Sequence, residues 1–205
     1  LNLVADRDSA QNQPFGHPSV SGLAPLDYRY ALDAAMPLLA QAQAPLVLCH
    51  APQLAAAAWH LPAVESPTND VALWVEPLAA NWQDDLALLS ARLAANGQLI
   101  ITLSRPLALL LPERRAWGIH ALGTRLGGIR QLRGALSRAG LRLDAIYGIH
   151  TMAAMGLNLM SQQLTQRGRP DLGDRLHFAA RLHYCACGPL ATLSTVALLI
   201  ATRTR

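Results

Sequence analysis

The stretch from Asp70 to Arg105, DVALWVEPLAANWQDDLALLSARLAANGQLIITLSR, constrains the fold of this chain most. Val71 to Val75 is a short apolar run of the kind that forms a buried strand. From Asn81 to Ala95, Leu86, Leu89 and Leu93 recur at helical spacing, with Asp84, Asp85 and Arg92 elsewhere on the surface. The two aspartates fall in the first turn, where the helix dipole favours negative charge. Asn96-Gly97 is a helix terminator, and Gln98 to Leu103 is a β-branched run. Strand, helix and strand in this order form a βαβ unit, which predicts a mostly parallel sheet.

The flanking segments continue the alternation. Residues 26–43 suit a helix, with Tyr30, Ala34, Leu38 and Gln41 on the helical period and Pro37 as a kink. Pro45 to Cys49 reads as a buried parallel strand, and alanine-rich Gln53 to Trp59 as helical. Residues 106–124 form a long connection containing Glu113-Arg114-Arg115. A helix over 124–139, capped by Gly140, leads to a strand from Leu141 to Ile149. Residues 151–187 are helical or irregular, with a break at Gly168-Arg169-Pro170, and the last strand runs roughly from Leu193 to Thr202. Residues 1–25 carry Pro14, Gly16, Pro18 and Pro25 and read as an extended N-terminal arm before a single α/β domain at 26–205. The chain begins at Leu1, which suits a fragment or a processed form.

Four segments together resemble the class I S-adenosylmethionine-dependent methyltransferases. Asp70 with Val71–Val75 and Glu76 is similar to that family's fourth strand and the acidic position after it. LAANGQLII is similar to its approach to the fifth strand, LRGALSRAGLRLDAIYGIH to its helix-to-strand junction, and GPLATLSTVALLIATR to its closing antiparallel strand. The resemblance implies a Rossmann-like methyltransferase fold, with a C-terminal antiparallel strand in the sheet.

The cofactor half departs from that pattern. Glycines after the family's first strand let the backbone approach the cofactor closely, which only a residue without Cβ allows. Here the stretch reads LVLCHAPQLAAAAWH and holds no glycine; Pro52 also removes a backbone donor. Glu65 is the nearby candidate for the family's ribose-binding acid. A parallel strand at 61–65 would need a crossover before strand 71–75, yet only Ser66 to Asn69 lie between them. Those four residues span about 14 Å, too little to return along a strand. The family's second and third strands are therefore expected to be missing, which leaves a degenerate, shortened sheet of about five strands.

Ligands of open α/β sheets bind beyond the carboxyl ends of the strands. Those ends offer His50, Glu76 and Ser104-Arg105. His50 and Glu76 would suit a general-base pair, or would simply satisfy loop backbone groups. If the cofactor is bound, the resemblance places it against His50, Gln53, Glu76 and Ser104. His150, with Tyr147, is a second candidate base beside a substrate cleft, or a hydrogen-bonded structural histidine. His177 and His183 are six apart, not at the i, i+4 spacing of a zinc pair, and Cys185-Ala-Cys187 is not a usual zinc motif, so no metal site is expected. Arg125, Arg130, Arg133, Arg138 and Arg142 cluster around one helix, either as a solvated face or as a site for acidic ligands. Trp82 would mark an interface if it stands exposed on the first turn of its helix.

All 17 basic residues are arginine, which excludes any mechanism that needs a lysine. The formal charge of +4 comes without the basic and aromatic interleaving that reads single-stranded nucleic acid, so no nucleic-acid partner is expected. Three cysteines in apolar settings suit reduced thiols in a cytoplasmic protein, and the N-terminus shows no signal-peptide pattern. The longest uncharged run, Leu182 to Thr202, contains Gly188-Pro189 and fits a turn and a buried strand better than a membrane span. The leading expectation is a methyltransferase-like domain that has lost cofactor binding and acts as a structural or accessory subunit. A protein partner or a second copy would then cover the sheet edge. The alternatives are an active S-adenosylmethionine-dependent methyltransferase of a small molecule, and a binding module for acidic ligands.

Overall fold

The structure is a computed structural model that describes residues 26–49, 66–77, 82–111, 121–125 and 127–204. The expected N-terminal arm, His50, Gln53 and the alanine-rich segment at 53–59 lie outside the described residues. In chain order the elements are α1 (Leu26–Leu39), β1 (Pro45–Cys49), β2 (Asn69–Val75), α2 (Trp82–Arg92), β3 (Leu93–Ser104), α3 (Gly128–Arg138), β4 (Leu141–Thr151), α4 (Met152–Gln166), α5 (Pro170–Leu182), β5 (Cys185–Cys187) and β6 (Ser194–Arg203).

The fold is α/β and Rossmann-like. One sheet has the strand order β1-β2-β3-β6-β4-β5. β1, β2 and β3 pair in parallel; β6 runs antiparallel between β3 and β4, so β4 shares the direction of the first three strands. Strand β1 lies directly beside β2, with Pro45 opposite Val71 and Cys49 opposite Val75. β1 is outermost among the described strands. Residues 50–65, Glu65 among them, on which the expected loss of the second and third strands turns, lie outside the described residues. Among the described residues the sheet has six strands, close to the roughly five expected. The extra strand, β5, is a three-residue edge piece inside the segment read as helical or irregular, and it pairs Cys185 with Ile149 and Cys187 with Tyr147.

Both faces of the sheet are covered. Val71, Leu73, Val75, Ile100 and Leu198 pack under α1, while Ala72, Trp74, Leu99, Ile101 and Leu199 pack under α2 and α3. The alternation along β2 and β3 follows the two-residue period of a strand. Trp82 is buried in the α2–α3 layer, so it does not mark an interface. Helix α2 ends at Arg92, three residues before the expected end at Ala95. Leu93 already pairs with Asn69, and the ladder resumes only at Gln98 opposite Val71. Asn96, at φ 62°, takes up the intervening slack. At the amino end of the sheet Asp70 is a brace: its carboxylate accepts from the backbone N–H groups of Gln43 (2.7 Å) and Ala44 (2.9 Å), which fixes the entry into β1.

Helices α4 and α5 form a hairpin anchored at its base. Thr151 caps α4 by accepting from Ala154 N (3.3 Å) and donates to the His183 carbonyl at the end of α5. Gly168, at φ 76°, makes the expected break between the two helices. None of the described helices is long and apolar enough to cross a membrane.

Candidate functional site at the carboxyl edge of the sheet

The carboxyl ends of β1, β2, β3 and β4 open on one edge, and antiparallel β6 starts there. Of the eleven polar or charged residues found buried, eight lie at this edge: Glu76, Thr102, Ser104, Arg105, His150, Thr151, Ser194 and Thr195. Two residues here hold left-handed backbone conformations without being glycine, Glu76 at φ 52° and His150 at φ 55°. Such conformations cost free energy and persist where the surroundings fix them.

Glu76 is fixed from both ends. Its N–H donates to the Thr102 carbonyl (2.9 Å), and its Oε2 accepts from Ser104 twice, from the backbone N–H (2.9 Å) and from the hydroxyl (2.8 Å). The two described members of the expected cofactor set are thus brought together and joined to one another. The left-handed turn at Glu76 folds its side chain back along the edge to the next strand.

His150 stands apart from Glu76. The order β2-β3-β6-β4 places three strand spacings between their strand ends, about 14 Å at the usual separation, so the two do not act as one acid–base pair. The His150 N–H donates to the Tyr184 carbonyl (2.6 Å), and its Nδ1 lies 3.3 Å from Thr195 Oγ1. Tyr30 packs beside it, with ring centroids 6.2 Å apart, and touches Tyr184 at 5.5 Å. Burial, with Asp33 adding to it against the Arg181 charge, holds the Tyr30 phenol above its ordinary value. Tyr147, three residues before His150, is half-buried and packs against the α1 layer.

The arginine cluster faces water. Arg125, Arg130, Arg133, Arg138 and Arg142 are all exposed, while Leu132, Ala135 and Leu136 turn into the core. Arg142 is engaged with Asp144 at 2.8 Å. His177 lies in the hairpin, with Nδ1 3.1 Å from Asn158 Oδ1, and His183 lies at the end of α5. Among the described residues no three His, Cys, Asp or Glu side chains are grouped to hold a metal. Cys185 is half-buried, and Cys187 is exposed.

No family model matches the chain, and no curated protein matches it in sequence. Solved structures do resemble it in arrangement. An S-adenosylmethionine-dependent methyltransferase from Thermotoga maritima is 14% identical, with a TM-score of 0.47 over 84% of this chain and 77% of that one. Another from Mesorhizobium loti is 14% identical, with a TM-score of 0.40 over 78% and 79%. The [4+2]-cyclase SpnF is 16% identical, with a TM-score of 0.38 over 84% and 71%. No cofactor or substrate of those proteins is carried to this chain by the likeness.

Proposed function

We propose that the chain is a methyltransferase-like scaffold that does not bind S-adenosylmethionine and serves as a structural or accessory subunit of an oligomer. The observation that carries this reading is the Glu76–Ser104 pair. A carboxylate that accepts two hydrogen bonds from the neighbouring strand is a brace between strand ends. Two further features support it. The chain after β1 offers no glycine for close backbone approach, and no described strand lies outside β1 to carry a ribose-binding acid. Isothermal titration with S-adenosylmethionine tests the reading: no binding is expected, and micromolar affinity would overturn it.

The subunit role draws on the hairpin. Its inter-helix contacts include polar and small ones: the Ser161 hydroxyl donates to the Gly173 carbonyl (2.7 Å), and Asn158 meets His177. Several large apolar side chains face outward, with Met152, Leu159 and Met160 of α4 and Phe178 and Leu182 of α5 all more than half exposed. Met152, Gly156, Leu159, Met160 and Gln163 share one helical face of α4. That helix contains no charged residue. The occupant we assign to this face is a second copy of the chain. A two-fold interface sets a patch against itself, so a patch with no charge meets no like-charge repulsion. Gly156, with nothing within 4 Å of where a Cβ would stand, lets a second helix approach closely. Sedimentation velocity is expected to show a dimer that Leu159→Glu converts to monomer. A monomer at all concentrations, or a hairpin that binds lipid vesicles without self-association, would count against this assembly. A cytoplasmic setting accords with Cys185 and Cys187 remaining thiols.

A further inference from the structure

Most buried polar groups at the carboxyl edge are engaged within the protein. Ser104 holds Glu76, Ser194 donates to the Ala191 carbonyl (2.7 Å), and Thr195 meets His150. Arg105 differs, as does Thr102, whose Oγ1 is enclosed without a hydrogen-bond partner. Arg105 as a residue is 8% exposed, and its Nε is likewise enclosed without a partner. Burial pushes its pKa down. An arginine does not shed its proton to escape such a setting. A buried charge without a counter-charge is strongly destabilising.

The backbone beneath this side chain is fixed. Arg105 N–H donates to the Thr195 carbonyl (2.8 Å), its own carbonyl accepts from Ala108 (2.9 Å), and Pro106 starts the following 3-10 turn. The guanidinium is thus mounted on the last hydrogen-bonded position of β3. It stands at the edge where open α/β sheets take their ligands. A planar fork of N–H donors matches an anion that presents two oxygens.

We propose that Arg105 anchors an anion-binding site at the carboxyl edge of the sheet, taking a small molecule through its carboxylate or phosphate group. The site is independent of the scaffold reading, because it needs neither the glycine loop nor a ribose-binding acid.

Thermal melts at constant ionic strength test it, with sodium phosphate or sodium acetate replacing sodium chloride. For the wild-type protein a rise in Tm of several degrees is expected with at least one of the two anions. A response to phosphate alone assigns a phosphoryl ligand, and a response to acetate alone assigns a carboxylate. Arg105→Met is expected to lose the response while melting no lower than the wild type in chloride, because a buried charge is removed. The Arg105 Nε–H resonance of the wild type, assigned by its loss in Arg105→Lys, is expected to shift with the same anion. This measurement stands even if Arg105→Met does not fold. No rise in Tm and no shift with either anion, or an equal response in Arg105→Met, would overturn the proposal. S-adenosylmethionine titration is read separately: binding there sinks the scaffold reading and leaves the Arg105 response to be judged on its own.

Discussion

Ser104 donates both its backbone N–H and its hydroxyl to one oxygen of Glu76, at 2.9 and 2.8 Å, and so ties the end of β3 to the end of β2. The left-handed conformation of Glu76 is what turns the carboxylate toward that partner. Local backbone cost and side-chain bonding belong to one arrangement, in which the bonds hold the residue in its unfavourable region.

The brace predicts a stability effect. Ser104→Ala removes the hydroxyl donor from a buried carboxylate and is expected to cost about 1–3 kcal/mol, the range for hydrogen bonds to charged groups. Urea unfolding followed by circular dichroism measures it. An unchanged midpoint would mean that the hydroxyl contributes nothing to holding the two strands.

Asp70 predicts a loss of stability in acid. Burial works to raise its pKa, but the backbone N–H groups of Gln43 and Ala44, together with its own and that of Val71, outweigh it and hold the carboxyl below the usual value. A depressed folded-state pKa means that the contribution is fully present above the unfolded value of about 4. It is lost as pH falls through the folded value. Asp70→Asn should therefore destabilise at pH 7 and converge on the wild type as pH falls below about 4 and through the folded value. Parallel melts that never converge would remove the charge from the explanation.

Much of this fold was legible from local pattern. The apolar run at Pro45–Cys49, the cap at Gly140 and the break at Gly168 are set by residue types whose preferences are local. The end of α2 was not, because Leu93 leaves the helix to pair with Asn69 and bury itself in the core. That is a tertiary choice without a sequence signal. Strand β5 is too short for any periodicity to register. Glu76 and Ser104 were legible as strand-end residues, but their mutual bond depends on the φ of Glu76. The burial of Arg105 was hidden for the same reason, since its position at a strand end was visible and its surroundings were not. The outward-facing leucines and methionines of the hairpin accompany a helix–helix contact that includes small residues. A pattern read for one buried face does not anticipate that inversion.

Two of the hairpin glycines predict opposite outcomes. A Cβ on Gly173 would stand 2.3 Å from Thr165 Oγ1 and 3.0 Å from the Ser161 carbonyl, so Gly173→Ala must push α4 and α5 apart. At Gly156 the same atom meets nothing within 4 Å. Alanine there should stabilise the monomer by about 1 kcal/mol through helix propensity. Chemical denaturation at low protein concentration separates the two. Equal effects at both positions would mean that the close Ser161–Gly173 contact does not hold the hairpin together.

His177 makes the hairpin sensitive to pH. Burial lowers its pKa, Arg181 lowers it further, and Asp174 acts against them in part. Its Nδ1 faces Asn158 Oδ1 at 3.1 Å, an arrangement that the neutral ring satisfies by donating. Because the folded-state pKa lies below the unfolded value of about 6.5, the unfolded chain takes up the proton first. Stability is therefore fully present above pH ~6.5 and declines as pH falls through the folded value. Hydrogen exchange of α4 and α5 amides should quicken as pH falls below about 6.5 beyond the intrinsic pH dependence of exchange. His177→Gln, which keeps a donor toward Asn158 without titrating, should flatten that excess. An undiminished pH response in the variant would place the sensitivity in another group.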